Sequence, residues 1–222
     1  MKRTAFLAAR ETFGLTENPL FTPEILHQSS LMEFEAKEYI HRQGDEMTDL
    51  FYLVSGSAKI LKTEANGKRT LIQFLTPHDF IGELGFIEAE ISKEETKDVK
   101  ARSKVICLAI PMAYAKSVLF EDPRFLQKIG QYIGRKLILR MDHFSVNQNF
   151  ELRDRLIEFL LQHTVEGEII EKQSEISEYL GVSYRHLAHT FKEFRELGIV
   201  SKNQTSYQVD HNALHAYKAS RA

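Results

Sequence analysis

The pattern of apolar residues changes at Pro111, and this change constrains the fold more than any other feature of the sequence. Before Pro111, short apolar or alternating stretches are separated by polar turns, which is typical of the strands of a β-sandwich or barrel. Asn66-Gly67 follows one alternating stretch, at 58–62, and favours a type I′ hairpin turn. After Pro111, apolar residues recur at helical spacing. The sequence therefore predicts an α+β protein with its strands first and its helices last.

The other predicted strands have the same turn-bounded character. They lie at 37–40, 50–54, 69–74, 80–85 and 105–110. The last of these contains Cys107, the single cysteine of the chain, which we expect to be a buried, inert thiol. One cysteine excludes an intrachain disulfide and any site that needs a cluster of cysteine ligands.

A long helix is predicted from about Pro123 to Val146, with Asp122 as its cap and proline in its first turn. Apolar residues recur along one side of it, and this seam is long for a helix on so small a domain. We therefore expect it to pair with the same helix of a second copy, making a homodimer. The predicted interface residues are Leu126, Ile133, Leu137, Arg140 and Phe144.

The polar residues Asn147, Gln148 and Asn149 are the best candidate for a hinge between domains. With 222 residues, the chain is long enough for one larger and one smaller domain. The predicted divisions are a β-rich sensing domain at 1–120, a dimerisation helix and hinge at 121–147, and a DNA-binding domain at 148–222.

Residues 172–200 have the pattern of a helix-turn-helix, with Gly181 at the turn and Ser183 as the cap of the second helix. Two short strands near 199–209 would add a β-hairpin wing. Cations, donors and an aromatic residue fall on the exposed side of the second helix, as in helices that enter the major groove. The candidate DNA-binding residues are Ser183, Tyr184, Arg185, His186, His189, Lys192 and Lys202.

Composition limits the remaining function classes. The net charge is −2, so DNA binding depends on local geometry and not on bulk charge. No stretch is long and apolar enough for a transmembrane helix, and the first residues are too polar for a secretory signal. We expect a cytoplasmic protein that makes no membrane contact.

The ordered run of these motifs resembles the Crp/Fnr family of bacterial transcription regulators over roughly residues 20–210. The segment at 50–58 looks like the family's first β-roll motif, and 79–85 looks like its phosphate cassette. The helix-turn-helix at 181–187 is most similar to the YeiL-type branch. The resemblance implies a cupin-like, cyclic-nucleotide-binding-like β-roll, a dimerisation helix and a C-terminal winged helix-turn-helix. It also implies an operator in double-stranded DNA, RNA polymerase and a small-molecule effector as partners.

The resemblance implies an effector pocket, but with altered chemistry. Cyclic-AMP-binding members hold the ribose with Gly and Glu, which match Gly82 and Glu83, and the phosphate with Arg-Ser, which correspond to Glu95 and Thr96. An acid repels a phosphodiester, so we expect cyclic AMP to be rejected. An iron–sulfur cluster is not expected either, and no cofactor is identified. The candidate pocket residues are Gly82, Glu83, Leu84, Glu95, Thr96 and Arg140.

Two other function classes stay open at this point. Some β-rolls are metal-dependent enzymes, but their metal sites require two histidines one residue apart. Neither His41 nor His78 has a second histidine at that spacing. No catalytic or metal-ligating set is identified, so the sequence predicts a protein that is not an enzyme. The remaining alternative is a regulatory module whose C-terminal domain binds protein.

Overall fold

The computed structural model describes residues 2–4, 13–67, 69–87, 97–204 and 206–221. It consists of two compact units, Met1–Leu137 and Ile138–Ala222. The strands of the first unit are β1 (Lys2–Thr4), β2 (Ser30–Phe34), β3 (Tyr39–His41), β4 (Asp49–Ser55), β5 (Ala58–Thr63), β6 (Arg69–Leu75), β7 (Phe80–Ile81), β8 (Asp98–Ala101) and β9 (Val105–Pro111).

The first unit is a β-roll made of two antiparallel sheets. One sheet has five strands in the order β1-β2-β9-β4-β7, and the other has four in the order β3-β8-β5-β6. The apolar strands β4 and β9 pair side by side and supply much of the core. Cys107 lies in β9 and is fully buried, and burial raises the pKa of its thiol to about 12, which makes it inert as expected.

The prediction of one strand over 80–85 is wrong. Only Phe80 and Ile81 form a strand, and a short helix follows at Glu83–Ile87. Gly82 separates the two with a φ of 89°, a conformation that favours glycine. A side chain there would also press on Met47 and on the carbonyl of Asp49, so the chain turns at this residue and presents Glu83 at the start of the helix.

Helices complete the first unit and continue into the second. In chain order they are α1 (Pro23–Gln28), α2 (Glu83–Ile87), α3 (Met112–Ser117), a 3-10 turn (Leu119–Glu121) and α4 (Pro123–Asn149). The backbone N–H of Arg124 donates to the Asp122 carboxylate, so Asp122 caps α4 as the sequence indicates. Phe125, Ile129 and Tyr132 are buried on one face of α4 and pack into the β-roll core.

The second unit is a winged helix-turn-helix. Its helices and strands are α5 (Leu152–His163), β10 (Glu168–Ile169), α6 (Gln173–Tyr179), α7 (Tyr184–Glu196), β11 (Val200–Asn203), β12 (Ser206–Val209) and α8 (His211–Arg221). The three strands form one antiparallel sheet in the order β10-β12-β11. The predicted hairpin after the helix-turn-helix is therefore confirmed.

Two details of the second half differ from the sequence-based expectation. Asn147, Gln148 and Asn149 continue α4, and the two units meet between Leu137 and Ile138, inside that helix. The polar side chains do not break the helix because Asn147 and Asn149 bond to nearby backbone carbonyls. Leu197 follows the buried Phe194 by three positions, a spacing that favours the same buried face, but it is 54% exposed because α7 ends at Glu196.

Substitution of Gly56 tests how closely the β-roll backbone packs at this residue. Its φ is 85°, and a Cβ there would collide with the carbonyl of Lys104. We expect Gly56→Ala to destabilise the first unit by at least about 2 kcal/mol, because backbone strain adds to the collision. Gly67→Ala is the matched control, since Gly67 also has a positive φ but faces open space. Thermal melting of both variants is the measurement, and equal losses would contradict this account.

Candidate functional site

The start of α7 is held by its cap and by the turn before it. Ser183 Oγ accepts a hydrogen bond from the backbone N–H of His186 at 3.2 Å. Gly181 turns the chain with a φ of 64°, and the N–H of Val182 donates to the carbonyl of Ser177 at 2.9 Å. These bonds orient α7 against α6, as a helix-turn-helix requires.

The two faces of α7 differ sharply in character. Leu187, Thr190, Phe191 and Phe194 are buried. The opposite face leaves exposed all the helix residues that the sequence analysis proposed for DNA contact, which are Tyr184, Arg185, His186, His189 and Lys192. The structure thus brings these candidates together on one surface, at the N-terminal end and middle of the helix.

The exposed side chains of α7 are not equally free. His189 Nδ1 lies 3.3 Å from Glu193 Oε1, and Arg153 of α5 holds the same carboxylate with two hydrogen bonds of 2.8 and 3.0 Å. Lys192 lies 3.8 Å from Glu196. Arg185 makes no side-chain hydrogen bond or ion pair within the described residues, so its guanidinium is available to a ligand. Sequence reasoning missed Arg153, which carries no motif.

The wing is attached to the helix-turn-helix through Tyr207. Its hydroxyl accepts a hydrogen bond from Gln173 Nε2 at 3.0 Å, and its ring contacts Phe191 with centroids 5.0 Å apart. Lys202 lies directly opposite Tyr207 in the β11–β12 pair and is exposed. The wing is therefore fixed to α7, and it carries the remaining predicted DNA-contact residue.

A buried arginine joins the end of α4 to the end of α6. Arg155 is 9% exposed, and its Nη1 donates to the carbonyl of Leu180 at 2.5 Å and to the carbonyl of Asn147 at 3.1 Å. Asn147 Nδ2 in turn donates to the carbonyl of Tyr179 at 3.2 Å. Burial lowers the pKa of Arg155, and burial followed by the charge of Arg155 lowers the pKa of His143. No sequence motif indicated this cluster.

The cassette of the β-roll contains a buried ion pair. Glu83 Oε1 of α2 lies 3.2 Å from Lys136 Nζ of α4, and the two residues are 9% and 6% exposed. The ammonium of Lys136 also lies 4.7 Å from the centre of the Tyr132 ring. Tyr132 donates a hydrogen bond to the carbonyl of Phe80 at 3.0 Å, and burial raises the pKa of its hydroxyl. These contacts attach α4 to the cassette.

Three of the six predicted effector-pocket residues lie together in the cassette. Gly82 and Glu83 lie together in the cassette, and Leu84 beside them is partly exposed. Glu95 and Thr96 lie outside the described residues. Arg140 belongs to the second unit, and the residue of α4 that contacts Glu83 is Lys136, one turn earlier. Sequence reasoning missed Lys136 because a lysine on a helix is usually exposed.

The proposed dimer seam has two parts. Leu126 and Ile133 are half-buried and pack against the core of the β-roll. Arg140 is exposed, and Leu137 and Phe144 are 59% and 68% exposed, together with their apolar neighbours Ile138, Leu139 and Met141. So much exposed apolar surface on one stretch of helix is unusual for a monomer.

Two further features of the described residues bear on function. No helix among them is both long and apolar enough to cross a membrane. No group of three or more His, Cys, Asp or Glu side chains in the same part of the chain is arranged to hold a metal ion.

Comparison with known proteins identifies similar domains and relatives. A family model described as cyclic nucleotide-binding domain matches residues 31–122. Regulatory protein YeiL of Escherichia coli O157:H7 is 34% identical over 190 residues, covering 85% of each chain. The cAMP-activated global transcriptional regulator Vfr of Pseudomonas aeruginosa is 26% identical and covers 81% of this chain and 91% of its own. A solved Crp/Fnr-family regulator from Eubacterium rectale superposes with a TM-score of 0.74 at 16% identity, covering 91% of this chain and 95% of its own.

The Lys136–Glu83 ion pair gives a direct stability prediction. Lys136→Met leaves a buried carboxylate without its partner, and we expect it to destabilise the first unit by about 3–5 kcal/mol. The double variant Glu83→Gln/Lys136→Met should recover most of this loss, because no buried charge is then left unpaired. Lys128→Met, at an exposed lysine of the same helix, is the control. Melting of Lys136→Met at the wild-type temperature would contradict the role given to the pair.

Proposed function

This chain belongs to the Crp/Fnr family of transcription regulators, and from that premise we propose that it is a homodimer that reads an inverted-repeat operator with α7. The observation that carries the proposal is the exposed face of α7, where a capped helix start presents Tyr184, Arg185 and His186 together. The two units then have separate tasks. The second unit reads DNA, and the β-roll with α4 holds two copies in register.

Arg185 is the proposed base reader. Its guanidinium makes no hydrogen bond or ion pair within the described residues, and it lies in the first turn of α7, the part of such a helix that enters the major groove. A guanidinium fork matches O6 and N7 of guanine. His189 is less available, because Glu193 lies beside its ring and is held there by Arg153. We therefore assign sequence reading mainly to Arg185, with Tyr184 and His186 beside it.

Three other residues are proposed phosphate contacts. Lys192 and Lys202 are exposed cations, one on α7 and one on the wing, and Ser183 lies where the helix begins. Helix starts and lysines bind phosphate without regard to sequence. These residues would supply the salt-dependent share of the affinity for DNA.

The apolar stretch of α4 around Leu137 and Phe144 supports the dimer. A second copy of the same helix would bury these side chains, and Gly130 and Gly134 have open space beside them where another helix can approach. A dimer presents two copies of α7, so the operator should be an inverted repeat with half-sites about 34 Å apart.

We propose that cyclic AMP is not the effector. Relatives such as Vfr are named for their activation by cyclic AMP. In this chain the cassette carboxylate of Glu83 already has a buried partner in Lys136, so a ribose hydroxyl would have to displace an ion pair. The proposed effector of the β-roll is a small molecule of other chemistry, and no cofactor is proposed.

The remaining partners follow from the regulator role. A protein that binds operators acts where the chromosome lies, so we propose a cytoplasmic protein that works with RNA polymerase. The relatives argue against the enzyme alternative, because they are named as regulators and not as enzymes. A C-terminal domain that binds protein instead of DNA is the surviving alternative, and the first experiment below separates the two.

Binding-site selection from random duplex DNA tests the role of Arg185. The wild-type protein should enrich an inverted repeat, and Arg185→Ala should lower operator affinity by about 1–3 kcal/mol and lose the preference at one base pair per half-site. Arg195→Ala is the matched control, since Arg195 is exposed near the other end of α7. Identical enriched sequences from Arg185→Ala and wild type would refute the base-reading role. No enrichment by wild type would favour the protein-binding alternative.

Sedimentation of the wild type and of Leu137→Glu tests the dimer. The variant places a charge in the proposed helix pair, where it would be buried without a partner, so the dimer should weaken by several kcal/mol. Lys128→Glu is the control, because residue 128 faces about 180° away from residue 137 on the helix. A wild-type monomer at micromolar concentration would contradict the proposal.

A further inference from the structure

Three cations converge on one tyrosine on the four-stranded sheet of the β-roll. Arg42 Cζ lies 4.0 Å from the centre of the Tyr39 ring, Lys100 Nζ lies 4.9 Å from it, and Arg69 Cζ lies 5.9 Å from it. The residues come from separate segments of the chain, since Tyr39 lies in β3, Arg69 in β6 and Lys100 in β8. We call Tyr39, Arg42, Arg69, Asp98 and Lys100 the Tyr39 cluster.

Arg69 is fixed in place from across the sheet. β3 and β6 are the two edge strands of this sheet, and Arg69 Nη2 donates to Tyr39 Oη at 3.1 Å. The same Nη2 lies 2.8 Å from Asp98 Oδ2. The other oxygen of Asp98 accepts from the backbone N–H of Gln43 at 2.9 Å. The Arg69–Asp98 ion pair is therefore held in a fixed position. Both carboxylate oxygens of Asp98 already accept hydrogen bonds, one from Arg69 and one from Gln43.

The cluster carries more positive charge than its own residues neutralise. Asp98 balances Arg69, but no carboxylate within the described residues pairs with Arg42 or Lys100, whose side chains contact the Tyr39 ring instead. An anion bound at this point would neutralise the charges of Arg42 and Lys100.

We propose that the Tyr39 cluster binds a compact multivalent phosphate, of the pyrophosphate type. The guanidinium of Arg42 can hold phosphate oxygens as a bidentate fork, and Lys100 adds a mobile point charge. Arg69, which Asp98 and Tyr39 already hold, lies beside them as a third, fixed cation. All three cations lie within 6 Å of one ring centre, which suits a small anion more than the extended backbone of DNA. The site shares no residue with the cassette of Glu83 or with α7, so it does not depend on the proposed function.

The anion could be free pyrophosphate or the diphosphate of a nucleotide, and calorimetric titration of the full-length protein separates these sources. Inorganic pyrophosphate should bind saturably at low ionic strength, because screening by salt weakens such a site. Equal affinity for pyrophosphate and adenosine diphosphate indicates recognition of phosphate alone. Affinity about tenfold higher for adenosine diphosphate indicates that the nucleoside also contacts the protein. Either result supports the site.

A double variant assigns the binding to this cluster. Arg42→Gln/Lys100→Gln removes two charges and leaves the Arg69–Asp98 pair, so pyrophosphate affinity should fall at least about tenfold. Lys62→Gln is the matched control, since Lys62 lies on the neighbouring strand β5 and pairs with Glu64 at 3.0 Å. Its affinity for pyrophosphate should equal that of wild type. Thermal melting verifies that both variants are folded.

Three results would overturn the proposal. The first is the absence of saturable binding of either phosphate compound by wild type. The second is wild-type affinity in the folded double variant, because the anion would then bind elsewhere. The third is a double variant that loses affinity for operator DNA while wild type binds no pyrophosphate, since this surface would then contact the DNA backbone. Failure of the site leaves the reading of DNA by Arg185 untouched.

Discussion

The buried pair of Glu83 and Lys136 is the interaction on which the arrangement of the β-roll and its long helix depends. It joins α2 of the cassette to α4. Both charged groups are buried from water, so removing one partner leaves the other charge unpaired and costs much of the stability of the first unit. Tyr132, one turn before Lys136, adds a hydrogen bond to the carbonyl of Phe80. Together these contacts dock α4 on the β-roll through the chain's own side chains.

The same helix continues into the second unit. Beyond Leu137, α4 belongs to the second unit, where Asn147 near its end bonds to Arg155 and to the backbone at the end of α6. The backbone that these bonds hold leads directly into the turn before α7. The helix thus contributes Lys136 to the cassette contact of the first unit and Asn147 to the contacts with α5 and α6 in the second.

Much of this could be predicted from the sequence, because local patterns determine it. The strand-rich segment before Pro111, the cap at Ser183 and the wing follow from turn residues and periodicity, and the structure confirms them. The contacts that sequence reasoning missed are charged side chains buried by tertiary packing. Lys136 and Arg155 look like ordinary helix-surface residues until the elements around them are placed, and Asn147 looks like a linker because its partner is 32 positions away. Local propensity does not report partners so far along the chain.

We propose that this regulator binds its operator without a cyclic nucleotide, because Lys136 already pairs with the cassette carboxylate of Glu83. Fluorescence anisotropy of the selected operator, titrated with nucleotide-free protein in the presence and absence of cyclic AMP, tests it most directly. The account predicts sequence-specific, salt-dependent binding of the same affinity in both titrations. Specific binding that appears only when cyclic AMP is added would contradict it.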